Sequence, residues 1–262
     1  MIIFLDIDGT LSKGKDYVSP RVVEAIRQTR RKGNLVYLCT GRNRIDIESL
    51  MYIGFDGAIC SGGGYIEADG KEFFHCFNDQ ESINLAIELF KKNGIYYKLE
   101  SDYLSFQDDE MLNMFNRFSD DQEAFKKSHH IYPTCEYKGE RIQTVYFFGK
   151  EEGLKEPQER LKDLFAFHIY SQLDNGYYEC ELMNKDVDKG KAILKVIEYH
   201  HLKIEDSLGF GDSMNDYSMI TTVNHGIVMA NGNHQLKEYA SSICESVEED
   251  GIYFELERRG LL

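Results

Sequence analysis

The chain has 262 residues, 42 percent of them apolar, and a net charge of −15 at neutral pH, enough for a packed core with a substantial insert. That charge argues against a nucleic-acid partner, whose phosphates need clustered Lys and Arg; the one dense basic stretch, Arg27 to Lys32, falls at an expected helix end, where cations favour the dipole. No apolar run is long enough for a transmembrane helix, so no membrane is expected either.

The first residues, Met1 to Thr10, lack a basic region and reach a carboxylate at position 6, which argues against a secretory signal. They read as a strand that starts at once, Ile2 to Leu5, apolar throughout as expected of burial on both faces. A helix is predicted over 20–32, with Ser19 as N-cap, Pro20 at the first helical position and Gly33 ending it. A second buried strand follows at 35–39, then a helix over 43–53, a strand at 57–60 and a Gly-rich turn at 62–64. Strand and helix alternate, which predicts a parallel sheet with right-handed crossovers.

The middle of the chain reads differently. A helix over 81–93 precedes aromatic-rich extended stretches at 95–99 and 103–106, and a helical region spans 109–127. Strand-like 142–148, a helix at 154–165 and extended segments at 167–171 and 177–183 complete a separate α+β unit. Then the alternation returns: helix 190–200, strand 206–210, helix 214–220, strand 226–229, helix 233–240. The expectation is an α/β protein: a discontinuous Rossmann-like core of parallel sheet, residues 1–80 and 184–262, interrupted by an inserted α+β domain at 81–183. Six dispersed cysteines without a Cys-x-x-Cys pair fit reduced, buried thiols and a cytoplasmic home.

Ligand sites in open parallel sheets lie beyond the carboxyl ends of strands. Asp6 ends the first strand and Asp8 follows it, with Gly9 permitting the chain to turn. One carboxylate of such a pair can attack an electrophile while the other handles protons; alone, the pattern reads equally as a polar turn. Thr40-Gly41-Arg42 closes the second strand, where a hydroxyl and helix-terminal N–H groups bind an anion or simply cap the helix. Arg42 either touches the ligand or braces the loop by ion pairing. At the end of strand 206–210 stand Asp212, Asn215 and Asp216. Asp6 and Asp212, with the backbone carbonyl of Asp8, would supply the oxygen ligands that Mg2+ prefers, and Asp216 would hold a metal-bound water; alone, the stretch reads equally as a helix N-terminus carrying acids. Lys189 opens the helix after the insert and either would neutralise both a substrate phosphate and Asp6 or is simply solvated, as most lysines are. Thr40 and Asn215 would orient that phosphate.

Asp6-Ile7-Asp8-Gly9-Thr10, Thr40-Gly41-Arg42, Lys189-Gly190 and Gly211-Asp212-Ser213-Met214-Asn215-Asp216 occur in the order of the four motifs of the haloacid dehalogenase-like superfamily, and the chain resembles its Cof-type phosphatases most. Glu181-Leu182-Met183, Met229-Ala230-Asn231 and Glu249-Asp250-Gly251-Ile252 extend the likeness over nearly the whole core. The resemblance implies a phosphatase of small phosphorylated metabolites, with Asp6 as nucleophile and magnesium ligand. Asp8 would be general acid and then general base, its carbonyl on magnesium. Thr40, Gly41, Lys189 and Asn215 would contact phosphate, and Asp212 would bind magnesium. Ser61-Gly62-Gly63-Gly64 departs from the family's Asn-Gly-Ala. In this family an inserted α+β cap covers the site; Tyr96, Tyr97, Tyr103, His129 and His130 lie in the corresponding unit, where they either line the pocket or serve as strand packing and surface, the latter being expected of most of them. A phosphomutase of related core and cap, or a non-catalytic binding protein on the same fold, are the alternatives.

Overall fold

A computed structural model describes residues 1–115 and 122–262. They form two units, one of residues 1–42, 47–75 and 187–262, the other of residues 43–46 and 76–186.

In the first unit β1 (Ile2–Leu5) is buried along its whole length, as its unbroken apolar run requires. Helix α1 (Pro20–Arg31) starts where Ser19 Oγ accepts the Val22 N–H at 3.3 Å, and ends with Arg30 and Arg31 in its last turn. After β2 (Leu35–Cys39) the helix expected over 43–53 is a 3-10 helix, Ile45–Ile53. Its buried residues, Ile47, Leu50 and Ile53, recur every third position, the repeat of a 3-10 turn. β3 (Gly57–Cys60) is followed by a hairpin, β4 (Tyr65–Ala68) and β5 (Lys71–His75). Its turn, Asp69-Gly70, has φ of 52° and 72°, the pair of positive angles that matches the twist of the flanking strands.

In the second unit, α2 (Gln80–Lys92) is capped by Asp79, whose carboxylate accepts the Ser82 N–H at 3.0 Å. Then come β6 (Tyr96–Glu100), β7 (Ser105–Gln107), α3 (Asp109–Phe115), α4 (Gln122–Ser128), β8 (Ile131–Tyr132), β9 (Thr144–Lys150), α5 (Glu151–Leu161), β10 (Phe165–Gln172) and β11 (Tyr177–Asn184). Of the helical region expected at 109–127, residues 116–121 lie outside the described residues. The strands order as β10-β11-β9-β6-β7-β8, antiparallel but for the last pair. Alternation along them divides the sheet into two faces. Tyr97, Leu99, Val145, Phe147, Cys180 and Leu182 pack on Phe90 of α2 and Leu154 of α5. Lys98, Glu100 and Thr144 stand on the other face, with Lys98 2.6 Å from Glu100 and the Thr144 hydroxyl donating to Glu100 at 2.8 Å. Tyr97 is therefore a core residue, while Tyr103 is exposed and His129 stacks on Phe125.

The chain returns to the first unit through α6 (Lys189–Tyr199), β12 (Ser207–Gly211), a 3-10 turn at Met214–Asp216, α7 (Tyr217–Thr222), β13 (His225–Met229), α8 (His234–Lys237), β14 (Ser242–Cys244) and α9 (Gly251–Arg258). Its eight strands order as β14-β13-β12-β1-β2-β3-β4-β5. The first six run parallel, and the β4–β5 hairpin adds two antiparallel strands at the edge. The protein is thus α/β, a parallel-sheet fold with a second, mixed unit inserted. Among the described residues no helix is long and apolar enough to cross a membrane.

Candidate active site

β12, β1 and β2 are neighbours and run the same way, Leu5 standing opposite both Phe210 and Leu38. Their carboxyl ends therefore share one edge, so Asp212, Asp6 and Thr40, which follow those strands, converge although distant in sequence. Strand order reverses between β12 and β1, with β2 and β3 on one side and β13 and β14 on the other. Such a switch point opens a crevice at the sheet edge.

Asp6, Asp212 and Asp216 each offer a carboxylate oxygen within 4.8 Å of the others. Lys189, at the start of α6, is buried between two of them: its ammonium donates to Asp6 Oδ1 at 2.7 Å and to Asp216 Oδ1 at 2.5 Å. Asp216 is wholly buried, and its second oxygen accepts the N–H groups of Asp212 (2.9 Å) and Ser213 (3.1 Å). Both Asp216 oxygens are thus committed to protein donors, so it braces Lys189 and the 212–213 turn instead of serving as an open ligand. Asp6 Oδ2 and the Asp212 carboxylate are less committed; Asp212 takes only a 3.3 Å bond from the Thr10 hydroxyl.

The electrostatics follow. Burial, then the Asp216 charge, push the Asp6 carboxyl from an ordinary 3.8 up to about 8, against the pull of Lys189. The same two causes push Asp212 up to about 7. Burial opposes a charge on Lys189, but Asp216 and Asp6 outweigh it and hold the ammonium charged beyond its usual range. Three carboxylates share one cation, so the pocket lacks positive charge. An oxygen-only donor set with that deficit suits a small hard dication, which Asp6 and Asp212 could hold.

Backbone geometry keeps the pocket open. Gly9 has φ +85°, and a Cβ there would lie 2.4 Å from Asp212 Oδ2, so only glycine lets the loop after β1 approach this carboxylate. Across the crevice Thr40 is buried, its hydroxyl accepting the Arg42 N–H at 3.1 Å, and Gly41 has open space beside its Cα. Asn215 stands exposed, its side-chain oxygen accepting from the Ser213 hydroxyl at 2.7 Å. Asp8 does not join the three clustered carboxylates. Its side chain is 61 percent exposed and both its oxygens accept from Arg42, at 2.6 and 2.9 Å.

Two supporting residues had no role in the sequence reading. Thr10 braces Asp212, and Asn231, after β13, donates to the Gly9 carbonyl at 2.8 Å while accepting the Val247 N–H at 2.9 Å. Both lie in motif segments, which was the available signal; their partners are set by the fold.

Parallel strands with an acid-rich crevice at a topological switch and a buried lysine place the chain among α/β proteins that bind a ligand beyond their strand ends. The chain belongs to the haloacid dehalogenase-like hydrolases, whose family model matches residues 3–256. It is 26 percent identical to the 5-amino-6-(5-phospho-D-ribitylamino)uracil phosphatase of Bacillus subtilis, over 96 percent of this chain and 95 percent of that one. It is 27 percent identical to the HMP-PP phosphatase of Serratia proteamaculans, over 88 and 84 percent respectively. Among solved structures, a sugar phosphatase of subclass IIB of this superfamily shares the fold with a TM-score of 0.80 at 22 percent identity, over 100 percent of this chain and 99 percent of that one.

Proposed function

We propose that the chain is a magnesium-dependent phosphatase of small phosphorylated metabolites that works through an aspartyl-phosphate on Asp6. In this reading the first unit is the catalytic core, the second is the cap, and the enzyme acts in the cytoplasm. The observation that carries it is the meeting of Asp6, Asp212 and Lys189 at one sheet edge, beside a second carboxylate, Asp8, two residues from the first. The relatives' names support the substrate class: one acts on a phosphoribitylaminouracil and another on HMP-PP.

Asp6 Oδ attacks phosphorus while the bond from phosphorus to the leaving oxygen breaks. Asp8 gives its proton to that oxygen, so an alcohol leaves and Asp6 carries an acyl phosphate. Asp8, now a carboxylate, takes a proton from water, whose oxygen attacks the same phosphorus and releases inorganic phosphate and the Asp6 carboxylate. Thr40, Gly41, Lys189 and Asn215 hold the phosphoryl oxygens, and Lys189 offsets the repulsion between an anionic nucleophile and an anionic substrate. Magnesium, bound by Asp6, Asp212 and the Asp8 carbonyl, would supply further neutralisation of that charge. Asp216 keeps Lys189 in place.

The test is release of inorganic phosphate from a panel of phosphorylated metabolites, with and without magnesium. The expected outcome is turnover that excess chelator stops and that Asp6→Asn abolishes while the protein stays folded. Undiminished turnover by Asp6→Asn would rule out the covalent route.

A further inference from the structure

Asp8 is the one proposed proton carrier, and nothing about its own position fixes it. Its side chain is 61 percent exposed, and it sits outside the buried carboxylate cluster. A carboxylate so placed would turn among its staggered rotamers, and a proton carrier that turns forfeits the advantage of being held in line with the leaving oxygen. Among the described residues, the hydrogen bonds that restrain it come from Arg42. Nε donates to Asp8 Oδ2 at 2.9 Å and Nη2 to Oδ1 at 2.6 Å, a two-pronged pairing of guanidinium and carboxylate.

Arg42 is itself held from behind. Its Nη1 donates to Asp16 Oδ1 at 2.7 Å, and the Ser49 hydroxyl donates to the other Asp16 oxygen at 2.5 Å. Asp16 lies in the loop after β1, in a turn with φ +56° closed by the Tyr17 N–H on the Gly14 carbonyl at 3.0 Å. The Arg42 side chain is only 22 percent exposed. Every one of its guanidinium nitrogens is therefore turned to a carboxylate of this chain and not to the crevice where a phosphoryl group would sit.

We infer that Arg42, anchored by Asp16, is a positioning residue that holds the Asp8 carboxyl in line with the leaving oxygen, and does not bind the phosphoryl group. This rests on the reading of Asp8 as acid and base given above. It has a kinetic consequence that a phosphate-binding arginine would not. Proton donation matters for an alcohol leaving group, which departs poorly as an anion, and little for p-nitrophenol, which departs well without a proton. Loss of alignment should therefore depress formation of the acyl phosphate selectively by leaving group, and should slow its hydrolysis whatever the leaving group was.

The experiment compares wild type with Arg42→Gln on p-nitrophenyl phosphate and on a simple alkyl phosphate. The inference expects kcat/KM for the alkyl phosphate to fall on the order of 10²-fold or more, the usual worth of a positioned acid, and kcat/KM for p-nitrophenyl phosphate to fall far less. It also expects p-nitrophenol to appear in a burst as acyl phosphate accumulates on Asp6. Arg42→Lys, a single point charge without the fork, should fall between, and Asp16→Asn should show the same leaving-group pattern more weakly. Equal falls in kcat/KM on both substrates, without a burst, would overturn the role of Arg42 and leave the proposed function standing. A wild-type protein that releases phosphate from no member of the metabolite panel would defeat the proposed function, and the role of Arg42 with it.

Discussion

Removing the Lys189 ammonium while keeping much of its stem, as in Lys189→Met, puts the charge pattern of the crevice under direct test. Lys189 is 2 percent exposed and pairs with two buried carboxylates. In its absence Asp6 and Asp216 face each other with oxygens within 4.8 Å and no cation between them. At an effective dielectric of about 20 their repulsion at that distance is about 3.5 kcal/mol, in line with the roughly 3–5 kcal/mol lost when one partner of a buried ion pair is removed. For a unit of this size that corresponds to a fall of roughly 6–20 °C in the midpoint of thermal unfolding. The measurement is calorimetry of wild type and variant in chelator at pH 9 and above, beyond the value of about 8 to which the Asp6 carboxyl is pushed. The deficit should shrink toward pH 5, because carboxylates with raised folded-state pKa values take up protons there and the repulsion fades. Adding Asp216→Asn to Lys189→Met should recover part of the loss, since it removes one of the two stranded charges. A single variant that melts within about 2 °C of wild type, with no pH dependence to the difference, would refute the view that these groups form one coupled cluster.

Two further outcomes follow from the same geometry. In metal-free wild type, Asp6 at about 8 and Asp212 at about 7 hold protons that the unfolded chain releases near 3.8; the folded state binds more protons across that window, so stability should fall as pH rises from about 4 to 8. Magnesium should restore it at the upper end and leave Asp212→Asn unmoved, as thermal unfolding with and without the ion would reveal; a wild-type midpoint flat in pH and indifferent to magnesium would count against the metal site. Gly9→Ala should cost about 1–2 kcal/mol for its left-handed backbone alone, and its Cβ should displace Asp212 and raise the magnesium concentration needed for half-maximal turnover; unchanged magnesium dependence would show that the close approach of the Gly9 loop to Asp212 is not needed.

Much of the architecture was legible because local physics dictated it. Ile2 to Leu5 could be little else than a doubly buried strand, and Ser19-Pro20 announced a helix start that the Ser19–Val22 bond fulfils. The helix at 45–53 takes the 3-10 form, which the sequence leaves open because, over so short a stretch, apolar spacing of three and of 3.6 residues overlap. The β4–β5 hairpin went unread although Asp69-Gly70 is a strong turn signal, since alternation of strand and helix had favoured an all-parallel sheet.

Residue types alone determined that carboxylates and glycines would stand at strand ends and a lysine at a helix start, because strand ends, turns and helix starts are set by neighbours along the chain. What they do there was decided by the tertiary structure. Only the placement of β12 beside β1 brings Asp212 to Asp6 across some two hundred residues, and only the positions of surrounding donors turn Asp216 into a brace and Arg42 into a clamp on Asp8. Hydrogen bonds and charge interactions act over a few ångströms of space, and separation along the chain does not specify that distance.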